Sequence, residues 1–429
     1  MVDGPIEPDL IDVAGAAERL GVKPETIYAY VSRGLLRRLQ SDDSRRSLLY
    51  AAEVEDLARK GKPRHRAGAF ELAIESAVTA LGPDRPYFRG LDALELAGSK
   101  SFESVAEWLW AGTWRDPAAL LSLWQPNEPA VVAARAAQAQ LPASAPPIDR
   151  LQVTISVLSA SDPVRFQLDP AAVIATARRL IPSLVDALPA ATRSARKDPG
   201  GSIAQRLWPK LSPRSPSPQL VAALDAALVL LADHELAAST LAARVAASVR
   251  ADPYAVVAAG LGVLVGPMHG GASLGVERLL RSIPTPAAAA SVLGDHLRRD
   301  ERIPGIGHAV YKNGDGRATR LLGIVEDASA GGERLAVALA VLAELRSRQL
   351  PEMNIDFAVA TLVDVAGMVE GSGQAIFAIA RTAGWLAHAL EEYQGRKPLR
   401  PRTIYTGPPI PSRLDDPGPR DRRDRRHHI

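Results

Sequence analysis

Four short stretches hold most of the side chains in this chain that are able to do chemistry: ADHELAAS (232–239), GPMHGGAS (266–273), IPGIGHAVYKNGDGRA (303–318) and MNIDF (353–357). Two arginines join them, Arg381 in IARTAGW (379–385) and Arg400 in LRPR (399–402). Singly, each residue is ambiguous. His234, His269 and His308 also read as hydrogen-bonded core histidines, Asp356 as part of a helix cap after Asn354, and the arginines as surface ion pairs. Together they supply neutral donors, one carboxylate base and the arginines Arg317, Arg381 and Arg400. Such a set suits a small anion with more than one carboxylate, because arginine grips carboxylates bidentately. A carboxylate beside donor histidines also suits removal of a weakly acidic proton next to a carbonyl, with a donor holding the developing enolate oxygen. The three glycines and proline around His269 form a flexible frame in which backbone and imidazole can both approach a ligand.

The elements that must position these groups read as helices. The chain has 429 residues, 47% hydrophobic and 23% charged, enough for a large core and two or more units. Aromatic residues are only 5% while alanine abounds, so the expected class is mainly α with little sheet. The segment LVAALDAALVLLADHELAASTLAARVAASV is apolar nearly all round, as a buried helix requires, and leaves Asp233, His234 and Glu235 conspicuous. Pro253 to Val276 is uncharged, but six glycines, two prolines and a histidine favour a buried helix and glycine-rich turn over a membrane span.

A net charge of +3 demands neither nucleic acid nor membrane, and the lack of cysteine excludes thiol chemistry and fits a reducing cytoplasm. The first residues lack a basic region followed by an apolar run, so no secretory leader is expected, and the expected location is cytoplasmic. No metal cluster is expected. His427 and His428 close a charged, proline-rich stretch, 411–429, expected to be disordered.

Residues 1–66 are read as a separate unit ending in a basic linker, GKPRHRAG (61–68). Ala16, Ala17 and Leu20 share a face of a first helix, Gly21 turns the chain, and Pro24 opens a second helix expected to carry Ile27, Tyr28 and Val31 inward. Thr26, Tyr30, Ser32, Arg33, Arg37, Arg38, Arg45 and Arg46 would then be free for a groove or its phosphates. The following RGLLRRLQSDDSRRSLLYAAEVEDLARKG resembles the wing and third helix of MerR-type and excisionase-like domains. The unit would therefore be a small winged helix-turn-helix domain, with DNA as a possible partner through residues 10–60. Its 12 basic and 11 acidic residues give little electrostatic excess for that role, and a helical hairpin used for packing is the alternative.

Residues from about 69 to 408 resemble the citrate synthase family. YFRGLDALELAGSKSFESVAEWLWAGTW is similar to the family's opening, the four stretches above follow in the family's order, and RPRTIYTGP is similar to the closing motif of bacterial members. The resemblance implies a helical homodimer. Its large domain would comprise residues 67–269 and 376–410, and a small domain at 270–375 would close over substrate. It implies condensation of acetyl-CoA with oxaloacetate, or of propionyl-CoA to 2-methylcitrate, with the acyl-CoA as cosubstrate and no permanently bound cofactor. A metabolite-sensing DNA-binding regulator with a synthase-like body is the competing reading.

Carried over by position, His269 holds the thioester carbonyl, Asp356 takes the methyl proton, and His308 donates to the oxaloacetate carbonyl. His234, Arg317, Arg381 and Arg400 hold carboxylates, with Arg400 reaching the partner subunit's site. Gly305 and Gly307 lie on the coenzyme loop, and Lys312 reaches its phosphates. Three positions depart from common family forms: Ser273 for asparagine, Gly316 for proline and Ala309 for arginine.

Overall fold

The computed structural model describes residues 10–20, 22–32, 36–40, 47–61, 74–192, 201–329, 331–395, 397–401, 403 and 405–407. The chain divides into two compact units, Met1–Ile74 and Glu75–Ile429. The expectations for Gly21, Arg33, Arg45, Arg46, linker residues 62–68 and the tail 411–429 lie outside the described residues.

The first unit runs β1 (Leu10–Asp12), α1 (Val13–Leu20), α2 (Pro24–Ser32), β2 (Arg38–Gln40), β3 (Ser47–Tyr50) and α3 (Ala51–Gly61). Its sheet is antiparallel in the order β1-β3-β2, with Leu10 opposite Tyr50 and Arg38 opposite Leu49. Asp12 accepts the Gly15 amide at 2.8 Å and so stabilises the start of α1. Ala16, Ala17, Ile27, Leu36, Leu49 and Val54 make the core.

Two sequence expectations fail on α2. Tyr28 is 51% exposed, whereas Tyr30 packs on the core. The helical period explains both, since residues three and four beyond Ile27 share its face and the next residue turns away. Arg37 is occupied as well: it is bonded to Glu53 at 2.5 Å and lies over the Tyr50 ring.

In the second unit, serine or aspartate followed by proline repeatedly starts a helix. Asp116, Asp169, Ser217 and Asp252 each accept an amide of a first turn whose N1 residue is proline, which itself has no amide proton to satisfy. The helices that matter below are α4 (Phe102–Ala111), α5 (Ile203–Leu211), α6 (Pro218–Leu231), α7 (Ala238–Ser248), α8 (Pro253–Leu264), α9 (Gly271–Ser282), α10 (Gly316–Ser329), α11 (Ile355–Val365) and α12 (Ser372–Gln394). A three-stranded antiparallel sheet, Thr79–Leu81, Pro86–Phe88 and Leu91–Asp92, is the minor β component.

Helix α12 is the central rod, buried along most of its length. Helices α6, α7 and α8 pack on it, while α9 and α10 pack on α11. Gly260 permits the α8–α12 crossing, because a Cβ there would lie 2.6 Å from the Trp385 ring. No helix among the described residues is long and apolar enough to cross a membrane.

The segment expected as one buried helix is two helices, α6 and α7, broken at 232–237. Glu235 sits at φ 51°, and Asp233 accepts its amide at 3.0 Å, so a local side-chain bond replaces the helical one. The break turns His234 out of helical register.

Candidate active site

Helix ends and loops of the second unit deliver the polar groups to one region. The break after α6 carries His234, the turn between α8 and α9 carries His269, and the loop before α10 carries His308 and Tyr311. The first turn of α10 carries Arg317, the first turn of α11 Asp356, and the middle of α12 Arg381.

The histidines are held by specific partners. His308 Nδ1 accepts the amides of Val310 and Tyr311 at 3.0 and 3.1 Å. The neutral ring therefore carries its proton on Nε2, where it can donate. His234 and His308 lie edge to face with ring centroids 5.4 Å apart, and Arg317 Nη2 is 3.5 Å from His308 Nε2. His234 Nε2 is 3.0 Å from the Tyr311 hydroxyl. His269 Nε2 is 2.8 Å from Ser239 Oγ, which also accepts from the Trp385 indole at 3.3 Å.

Burial, then the Arg317 and Arg381 charges, hold His234 well below its ordinary pKa. Burial and Arg381 lower His269 to about 4, and burial with Arg317 lowers His308. All three imidazoles are thus neutral at pH 7.

Asp315 organises the two cationic and acidic ends. Arg317 donates Nε and Nη2 to its two oxygens at 2.9 and 2.8 Å, and the Ile355 amide donates to it at 3.0 Å. The same carboxylate therefore clamps Arg317 and the start of α11. Asn354 caps that helix by accepting the Asp356 amide at 3.0 Å. Burial pushes the Asp356 carboxyl up to about 7; Arg317 and Arg381 oppose the shift and Asp315 adds to it.

Arg381 donates Nε to Leu231 O at 2.9 Å, while its buried Nη1 has no partner among the described residues. Its guanidinium lies 4.7 Å from the centre of the Phe377 ring, whose other neighbour is His269 at 6.0 Å. Behind it, Arg244 donates to His388 Nδ1 at 2.8 Å, and His388 Nε2 lies 3.3 Å from the fully buried Asp233.

Glycines lash the coenzyme-loop candidate to α11. Asn354 donates its amide to Gly305 O at 2.9 Å and its side chain to Gly307 O at 2.8 Å; Gly307 donates to Glu352 O at 2.7 Å. Both glycines have positive φ, and a Cβ at Gly305 would meet Val276 at 2.6 Å. Gly316, in place of the common proline, donates its amide to Asp84 O at 2.8 Å, a bond proline could not make. Ser273 is buried and bonds Gly270 O at 3.2 Å.

Thus His234, His269, His308, Arg317, Asp356 and Arg381 are brought together. Lys312 is exposed beside them. Arg400 is exposed beyond α12, and no described contact ties it to the cluster. Ser239, Tyr311 and Asp315 lie inside the four stretches without a motif of their own, since only the fold reveals what they touch. Among the described residues no group of three or more histidine, aspartate or glutamate side chains is placed to hold a metal.

Neutral imidazoles, a carboxylate poised near neutrality and buried guanidinium groups define an enzyme-like centre for an anionic carbonyl compound. The comparisons narrow that class. The family model "Citrate synthase, C-terminal domain" matches residues 70–402. Citrate synthase 2 of Bacillus subtilis is 32% identical over 364 residues, covering 79% of this chain and 94% of its own. The 2-methylcitrate synthase of Mycobacterium tuberculosis is 32% identical over 335 residues, covering 75% and 84%. The crystal structure of citrate synthase from Thermotoga maritima superposes with a TM-score of 0.65 at 26% identity, over 80% of this chain and 96% of that one. The chain belongs to the citrate synthase family, and it is an enzyme of that class.

Proposed function

We propose that the protein condenses acetyl-CoA with oxaloacetate and water to give citrate and free CoA. Asp356 removes a proton from the acyl methyl group while His269, through Nδ1–H, holds the thioester oxygen as the enol(ate) forms. The enolic carbon attacks the keto carbon of oxaloacetate, and His308 gives its Nε2 proton to the keto oxygen. Water then cleaves the thioester, releasing CoA. His234, Arg317 and Arg381 hold the substrate carboxylates, and the unpartnered Nη1 of Arg381 is a ready donor to one of them. Gly305 and Gly307 leave backbone room for the coenzyme, and Lys312 meets its phosphates.

The single observation carrying this reading is that Asp315 ties Arg317 to the first turn of α11, which presents Asp356 to the cluster of His269, His308 and Arg381, with burial raising that carboxyl and disfavouring charged imidazoles. A base near pH 7 with neutral donors is what enolisation needs. Propionyl-CoA, giving 2-methylcitrate, is the second reading, favoured by the equal 32% identity to relatives of both names. Free thiol release measured side by side with each acyl-CoA and oxaloacetate distinguishes them; release with neither removes the proposal.

A homodimer in which Arg400 enters the partner's site completes the carboxylate cage. The outer faces of α7 and α8 support it, with Val245 40% and Val249 62% exposed, followed by exposed Ala255, Ala258 and Gly262. Residues 270–375 act as the small domain over the large one, 67–269 with 376–410, in a cytoplasmic setting. The two helices, hairpin and third helix of the first unit support a MerR-type winged helix-turn-helix module. Binding of promoter DNA at low salt, lost when residues 1–66 are deleted, tests it. A pure metabolite sensor has no need of both Asp356 and His308, which this chain keeps.

A further inference from the structure

Tyr311 touches two of the three histidines by different atoms. Its hydroxyl is 3.0 Å from His234 Nε2, and its ring stacks on His308 with centroids 4.7 Å apart and planes 20° apart. Its amide also donates to His308 Nδ1 at 3.1 Å. The Arg317 guanidinium lies 5.2 Å from the ring centre, a cation–π contact that helps hold the ring in place. Only 1% of the residue is exposed, and His234 Nε2 is the one described hydrogen-bond partner of its hydroxyl.

We propose that Tyr311 is a dual positioning residue of the condensation, its hydroxyl setting the proton arrangement of His234 and its ring fixing the plane of His308. The assignment rests on the citrate synthase reading above. The two functions separate chemically. His234 binds substrate in ground and transition states alike, so disturbing it raises KM with little change in kcat. His308 donates as the new bond forms, so misorienting it lowers kcat. Burial raises the phenol above its ordinary value, so the hydroxyl stays protonated across the working range.

Two substitutions dissect the residue. Tyr311→Phe keeps the stacked ring and removes the hydroxyl; Tyr311→Leu removes both. The expected result for Tyr311→Phe is an oxaloacetate KM raised about tenfold with kcat lowered less than about threefold. Tyr311→Leu should in addition lower kcat by about a hundredfold. A merely structural residue would lower thermal stability and active fraction in both variants without splitting the constants. An unchanged oxaloacetate KM in Tyr311→Phe overturns the assignment, as does an equal fall of kcat in the two variants. Calorimetric titration with oxaloacetate gives a readout that does not depend on turnover. If the wild type binds oxaloacetate about tenfold tighter than Tyr311→Phe yet releases no thiol, the His234 half of the role stands, while the His308 half and the reaction assignment fall. A wild type that neither binds nor turns over contradicts both.

Discussion

Ser239 Oγ lies 2.8 Å from Nε2 of His269 and accepts the indole N–H of Trp385 at 3.3 Å. The indole takes one lone pair of the hydroxyl, and when the hydroxyl proton goes to His269 Nε2, its one acceptor among the described contacts, the imidazole proton is left on Nδ1, as the proposed reaction requires. Ser239→Ala removes this orientation while leaving room for the ring. Turnover should fall about ten- to a hundredfold with little change in oxaloacetate KM. Steady-state thiol release checks it, and wild-type kcat in the variant would remove Ser239 from the mechanism.

In the proposed reaction Asp356 acts only as carboxylate, and burial raises its pKa to about 7. Activity should therefore climb as pH rises through about 7 and level off above it. His269, lowered to about 4, contributes no limb in this window because it is already neutral. The pH profile of kcat/KM for the acyl-CoA tests this; a flat profile from pH 5 to 8 contradicts it.

A second raised carboxyl lies away from this site. Asp225 on α6 accepts the Phe102 amide at the start of α4 at 3.3 Å, and Glu103 accepts the Ile203 amide opening α5 at 2.6 Å. Burial, with the neighbouring Glu103, pushes Asp225 up to about 7. A carboxyl raised on folding contributes stability that is fully present below its unfolded value near 4 and is lost as pH rises through about 7. Thermal midpoints should accordingly decline as pH rises from about 4 to about 7 and level off above it, and Asp225→Asn should lessen that decline. Unfolding scans of both proteins across this range provide the check.

Arg400 offers a test of shared sites. In a two-fold dimer, mixing inactive Arg400→Ala with inactive Asp356→Ala subunits creates one intact site per mixed dimer. After unfolding and corefolding in equal amounts, about one quarter of wild-type activity should return. No recovery means that Arg400 acts within its own subunit, and an active Arg400→Ala protein means that it does not act at all.

Much of this was legible in the residues themselves. Histidines among glycines, and an aspartate after an asparagine, marked His269, His308 and Asp356 because such sequences are poor at filling a core. The break at Asp233–Glu235 was not legible, since alanine and leucine on both sides mask it and only a positive φ at Glu235 and the Asp233 cap reveal it. Tyr28 and Tyr30 exchanged their expected places although the helical period from Ile27 already puts Tyr30, and not Tyr28, on the buried face. Ser239 and Trp385, 146 residues apart, meet only once α7 lies on α12.

The central claim is that Asp356 is the base that starts carbon–carbon bond formation. Free thiol released from acetyl-CoA or propionyl-CoA with oxaloacetate, by wild type and by Asp356→Ala at pH 8, tests it most directly. Oxaloacetate-dependent release by the wild type and a loss of about a thousandfold or more in the variant is the expected result. Equal rates in the two proteins, or no release by the wild type with either thioester, would contradict it.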